Sequence, residues 1–339
     1  MAKLPKHILV IRLSAMGDVA MMVPVLQALT QQNPAPKITL LTRSFFKPFF
    51  RHLPNVTIYS IDTEGKHKGV LGLYKLSRAL KKLDIDAIAD LHNVIRSNIL
   101  RMFLTGIPFV QLDKARAEKR DLISGKSFRQ LKSTHQRYAD VFKRLGFKIN
   151  LEKPFFPEPR PLNDKIQNIV KNTNLKWVGI APFAAHESKM YPLDLMDTVI
   201  ESLSKKYQVI LFGGGDEEVV ILSEFEKKHH QVVNVAGKLS LDEELDLISN
   251  LDVMLAMDSG NAHIAAMMGV KVVTIWGVTH PYAGFAPIYQ PEDYALLSDR
   301  DMYPKIPTSI YGNKYPEAYK DAMDSILPKT ILEKIDSII

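Results

Sequence analysis

The sequence predicts an α/β protein built from two doubly wound, Rossmann-like domains in tandem, facing each other across a cleft. Three observations predict it. Short apolar runs alternate with helical periodicity along both halves of the 339 residues. A stretch with four prolines, Asn150 to Pro161, separates the halves as a stiff connector. Several turns after the apolar runs carry glycine beside acids and hydroxyls, as at the carboxyl ends of strands where open sheets bind ligands.

In the first half, strands are expected over 7–13, 37–42, 56–61, 86–91 and 107–111. Helices are expected over 18–32, 45–53, 69–82, 95–104 and 133–145. The first strand, His7 to Leu13, is apolar except for His7 and Arg12, and it runs into Ser14-Ala15-Met16-Gly17-Asp18. Val19, Met22, Val23, Leu26 and Leu29 then recur at three- and four-residue steps, so Asp18 opens a helix. A carboxylate there suits a cap or the helix dipole as well as chemistry. Pro24 is expected to bend this helix or to mark its true first turn.

The second half restarts the alternation, with strands over 176–181, 207–212, 231–235, 252–257 and 270–275. Its helices are expected over 192–206, 217–229, 241–250 and 261–268, and a last one covers 328–339. The most informative turn is Met257-Asp258-Ser259-Gly260-Asn261-Ala262-His263, which closes a strand and opens a helix. Its glycine lets backbone approach a ligand, and the helix start offers free N–H groups to an anion. A phosphorylated ligand is indicated. Asp258 or Ser259 as a plain N-cap, and His263 as a core histidine, are the structural alternatives.

Composition narrows the classes. The net charge is +7, and the window from Asp113 to Lys148 carries eleven Lys/Arg against four acids. A basic segment of this kind attracts an anionic substrate or membrane surface. Nucleic acid is disfavoured, because aromatics do not interleave with the basic residues and no binding module is evident. The chain has no cysteine, which excludes disulfides and thiolate metal sites. No run approaches a membrane span, and the N-terminal apolar stretch is too short for a signal peptide core. The expected location is the cytoplasm. The first turn lacks the G-x-G-x-x-G fingerprint and the chain lacks a Walker A loop, which argues against nicotinamide and P-loop enzymes.

Six segments, taken in order, resemble glycosyltransferase family 9, the heptosyltransferases with the GT-B fold. They are Ile11 to Asp18, Asp90 to Ser97, Lys189-Met-Tyr-Pro192, Gly213 to Glu218, Asp258 to His263 and Trp276 to Thr279. The sequence departs from the family pattern at His92-Asn93, where Gln-Gly is usual, and at Tyr191, where Trp is commoner. Tyr303 to Met323 holds no cysteine where many relatives have a cluster.

The resemblance implies an inverting transfer of a sugar, typically heptose, from an ADP-sugar donor to the lipopolysaccharide inner core of a Gram-negative bacterium. Asp18 matches the family's general base, and Lys189 the cation for the departing diphosphate. Glu217 or Glu218 would meet the ribose, and Asp258, Ser259, Gly260 and His263 would line the donor site. Arg96, Arg116 and Arg120 are assigned to an anionic, lipid-linked acceptor, because guanidinium groups grip phosphate or carboxylate. No metal or other cofactor is expected. Residues 1–155 form the expected acceptor domain and 165–325 the nucleotide-sugar domain, with helix 328–339 able to pack back on the first. Peripheral contact with the inner face of the inner membrane is the accompanying expectation. Another nucleotide sugar as donor, or a sugar-nucleotide epimerase, are the alternative readings.

Overall fold

Runs of Val, Ile and Leu without polar alternation make strands buried on both faces, as parallel sheets covered by helices require. The computed structural model describes residues 4–171 and 174–339. Met1 to Lys3, the start of the expected first domain, lie outside the described residues. Two compact units divide the chain, Met1–Ala115 with Thr134–Phe155, and Arg116–Ser133 with Phe156–Ile339.

The first unit begins with β1 (His7–Ile11), α1 (Met16–Ala20), α2 (Val23–Thr30), β2 (Lys37–Thr42) and β3 (Val56–Ser60). It continues through α3 (Gly69–Leu80), β4 (Ala87–Asp90), α4 (Ile95–Phe103) and β5 (Phe109–Gln111). After α5 (Arg116–Ile123), it is completed by α6 (Thr134–Arg144). The strands are parallel in the order β3-β2-β1-β4-β5, with Val10 facing Leu40 on one side and Ala89 on the other. Leu9 and Ile11 of β1 join Leu73, Leu76 and Leu80 of α3 and Leu100 of α4 in one core. The helix expected over 18–32 is two helices, because Pro24 takes an N-terminal position of α2, where its missing N–H costs nothing. The segment expected as a helix over 45–53 is a 3₁₀ stretch, Ser44–Phe50, that carries Pro48 and buries three phenylalanines.

The second unit contains α7 (Asp164–Val170), β6 (Trp177–Ala181), α8 (Leu193–Ser204), β7 (Gln208–Leu211), α9 (Asp216–Lys228) and β8 (Val232–Asn234). It goes on through α10 (Leu241–Ile248), β9 (Val253–Met257), α11 (Gly260–Met267), β10 (Lys271–Trp276), β11 (Ala295–Leu297) and α12 (Pro328–Ile338). Its sheet is also parallel, in the order β11-β10-β9-β6-β7-β8. A capping box ties Ser240 to Glu243 at the start of α10.

Two placements differ from the sequence-based expectation. Segment 116–133 belongs to the second unit, not to a domain spanning 1–155. Its Leu122 and Leu131 pack with Ala283, and the Leu131 N–H donates to the Tyr282 carbonyl at 2.9 Å. Helix α12 stays with the second unit, because Ile331, Ile335 and Ile338 fill a core shared with Met196, Ile200 and Ile275.

Both tryptophans, Trp177 and Trp276, lie in the second unit, so their fluorescence reports its unfolding. Ile335→Ala is expected to destabilise that unit by about 2–5 kcal/mol in urea denaturation followed by tryptophan emission. An unchanged midpoint would show that α12 contributes nothing to this core.

Candidate functional site

In an open α/β sheet, the loops on either side of the point where strand order reverses splay apart and leave a crevice. In the first unit that point lies between β1 and β4. The loop after β1 leads straight into the first turn of α1, which carries Asp18, and the loop after β4 carries His92.

Arg12, buried at the end of β1, organises this crevice. One Nη donates to the Leu91 carbonyl at 2.7 Å, and the other forms an ion pair with Asp18 Oδ2. The Tyr138 hydroxyl donates to the Asp18 carbonyl at 3.3 Å, and the Arg12 guanidinium lies 5.9 Å from the Tyr138 ring centre. Asp18 keeps 28 % of its side chain exposed. Its Oδ1 has no partner among the described residues, so one carboxylate oxygen is held while the other is unengaged.

Across the switch point, buried Asp90 shapes the β4 loop. Its Oδ1 accepts from the His92 and Asn93 N–H groups, and its Oδ2 accepts from Gln111. The His92 ring accepts from the Leu13 N–H at 3.4 Å and lies 3.5 Å from the Ser14 hydroxyl. Burial pushes the His92 pKa down to about 3, with help from Arg12, Lys114, Arg96 and Arg43. Those cations give this crevice a positive field. Arg96 was anticipated from the sequence, whereas Arg43 and Lys114 were not, since they come from other loops. Arg116 and Arg120, assigned with Arg96 from the sequence, lie exposed on α5, which belongs to the second unit and not to the unit of Arg96.

In the second unit, strand order reverses between β6 and β9. The loop after β6 ends in a 3₁₀ turn, Glu187–Lys189, and the loop after β9 holds Asp258 and Ser259. Lys189 Nζ pairs with Asp258 Oδ2 at 2.9 Å, and both side chains are largely buried. The same oxygen accepts from the Thr279 hydroxyl at 2.9 Å. Thr279 follows β10 and was noted only as part of a motif; its role as partner of Asp258 depends on the fold. A Cβ at Gly277 would lie 2.4 Å from the Ser188 carbonyl oxygen, so the loop after β10 can approach Lys189 only with glycine there.

Ser259 is the N-cap residue of α11, yet neither it nor Asp258 caps the helix through its side chain. The N–H groups of the first helical turn therefore remain for a ligand, beside Gly260 and in the same turn as His263. The Ser259 hydroxyl is buried and makes no hydrogen bond. At the start of α9 the two glutamates separate. Glu218 folds back to accept from the Gly214 N–H at 2.8 Å, whereas Glu217 is exposed and has no partner among the described residues.

Together, the first unit presents a half-held carboxylate in a cationic crevice. The second presents a lysine–aspartate pair next to an uncapped helix start, a combination suited to a phosphorylated ligand. Among the described residues, no group of three or more His, Cys, Asp and Glu side chains could hold a metal ion. Among the same residues, no helix is long and apolar enough to cross a membrane.

The sequence pattern of glycosyltransferase family 9 (heptosyltransferase) matches residues 73–313. The lipopolysaccharide core heptosyltransferase OpsX of Haemophilus influenzae is 25 % identical over 285 residues, 82 % of this chain and 80 % of that protein. The structure of a family 9 glycosyl transferase from Veillonella parvula superposes with a TM-score of 0.74 at 17 % identity, covering 98 % of this chain and 97 % of the other. E. coli heptosyltransferase WaaC with ADP superposes with a TM-score of 0.68 at 15 % identity, covering 98 % and 100 %. These structural likenesses establish the GT-B class of fold.

A histidine held neutral in the fold binds its proton only on unfolding, so its contribution to stability falls as pH drops below its ordinary value near 6.5. Wild-type protein should lose stability relative to His92→Gln between pH 6.5 and 4, by roughly 1 kcal/mol per pH unit. Parallel stability curves for the two proteins across that range would refute this placement of His92.

Proposed function

The chain belongs to glycosyltransferase family 9, the heptosyltransferases, and on that premise we propose that it transfers heptose from an ADP-heptose donor to the inner core of lipopolysaccharide. The observation that carries the donor half is the Lys189–Asp258–Thr279 group beside the uncapped start of α11. A structural relative described with ADP supports ADP as the nucleotide. The acceptor is taken from relatives named as lipopolysaccharide heptosyltransferases.

In this reading, Asp18 Oδ1 takes the proton of the acceptor hydroxyl as its oxygen attacks the anomeric carbon. The bond from that carbon to the β-phosphate oxygen breaks in the same step, so the configuration inverts and ADP leaves. Arg12 holds the other carboxylate oxygen and fixes its direction. Lys189 and the first N–H groups of α11 stabilise the charge that builds on the diphosphate. Before the donor binds, Asp258 and Thr279 keep the lysine within the loop, and a diphosphate then offers it a second anionic partner. Glu217, which has both carboxylate oxygens available, suits the ribose diol better than Glu218 does. Arg43, Arg96 and Lys114 favour an anionic acceptor at the first-unit crevice. The exposed Arg116 and Arg120 on α5 give the second unit basic surface of its own, suited to peripheral contact with the cytoplasmic face of the inner membrane.

Asp18→Asn should lower kcat by roughly 10²–10⁴-fold while calorimetry shows unchanged ADP affinity. Lys189→Met should weaken ADP binding by about tenfold or more. Transfer should persist in EDTA, since protein groups carry the diphosphate charge. Preferential binding of UDP- or GDP-sugars over ADP-sugars would overturn the donor, and full activity in Asp18→Asn would overturn the base.

A further inference from the structure

Residues 300–316 of the second unit build a second depression with segment 122–128. Its volume is about 460 Å³, enough for one or two sugar rings. Leu122, Ile123, Pro304, Ile306 and Pro316 supply apolar walls. Arg300 and Lys305 are the charged residues among those lining it, and no carboxylate lines it. None of its lining residues belongs to the Lys189–Asp258–Thr279 group.

Arg300 is held in one orientation. Its guanidinium carbon lies 3.5 Å from the centre of the Phe128 ring, and its Nε donates to the Ile306 carbonyl at 3.0 Å. Stacking and the Nε bond fix the plane of the group, while the two terminal nitrogens make no ion pair among the described residues. A preoriented guanidinium fork without a counter-ion matches the two oxygens of a carboxylate or phosphate. The neighbouring His280 is neutral at pH 7, its pKa lowered to about 4 by burial and by Arg300, so it adds no charge of its own. Lys305, exposed at the rim, adds a second positive charge.

We infer that this depression binds the phosphate or carboxylate of a sugar, with Arg300 gripping the anion and the apolar walls covering the ring. That the anion is borne by a sugar rests on the transferase reading; that an anion binds does not. An anionic residue of the acceptor glycan and a free small anion share this chemistry, and the test separates them.

Full-length protein should be titrated by calorimetry with glucose 6-phosphate, glucuronate, glucose and inorganic phosphate, beside Arg300→Met and Lys305→Met. Melting temperature in buffer serves as the control for folding. The expected result is that both anionic sugars bind and glucose does not, with affinity at least about tenfold weaker in Arg300→Met and several-fold weaker in Lys305→Met. Tighter binding of glucose 6-phosphate than of inorganic phosphate supports the glycan as source, and equal binding supports a free anion. Lys305 is exposed, so its variant keeps the test meaningful if Arg300→Met fails to fold. Binding of neither anionic sugar, or equal binding by wild type and Lys305→Met together with any folded Arg300 variant, would overturn the inference. Because no readout depends on transfer, failure here leaves the transferase reading intact, and failure of that reading leaves this result standing.

Discussion

A parallel strand can be reached only by a crossover, and crossovers that run outward from a central strand in both directions must part somewhere at the carboxyl edge. In the first unit they part between β1 and β4, and in the second between β6 and β9. The residues with the chemistry, Asp18, His92, Lys189 and Asp258, sit on the loops that border those two partings or on the first turn that follows one of them. Their placement follows from strand order before any side chain is considered. The side chains then decide what each crevice can hold.

Both crevices use the same electrostatic device with opposite emphasis. In the first, a buried arginine restrains one oxygen of a carboxylate and leaves the other open, so the anion is the working group. In the second, a buried aspartate restrains a lysine with the help of a threonine, so the cation is the working group. Largely buried charges cost free energy unless paired, and each pair meets that cost while fixing a direction. The paired partners, Arg12 and Thr279, are as much a part of the geometry as the groups they orient.

The fold was legible because parallel strands read as unbroken apolar runs, and β1, β2, β9 and β10 lie close to their expected positions. Short elements with little periodicity were not legible: α5, α7 and β11 span three to eight residues. Asp18, Lys189 and Asp258 could be picked out because each stands on a turn with a recognisable pattern. Arg12, Arg43, Lys114 and Thr279 could not, because their significance lies in partners that only the folded chain brings close. Arg116 and Arg120 were not legible as residues of the second unit, because they stand in sequence between elements of the first. Helix α5 sits within the stretch read as the first domain, yet Leu122 and Leu131 find their apolar partners among residues 282–310.

That arrangement makes the second unit discontinuous, and the order of synthesis then matters. Segment 116–133 leaves the ribosome when its own sheet does not yet exist, and the Tyr282 carbonyl that receives the Leu131 N–H follows about 150 residues later. At ordinary elongation rates this is a wait of roughly 10–30 s, during which two buried leucines have no native contact. The charges crowded around them, Arg116, Lys119, Arg120, Lys126 and Arg129, keep the waiting segment hydrated and discourage premature association. Part of the basic character of this stretch can therefore be understood as protection for a helix that is made long before the surface it packs on.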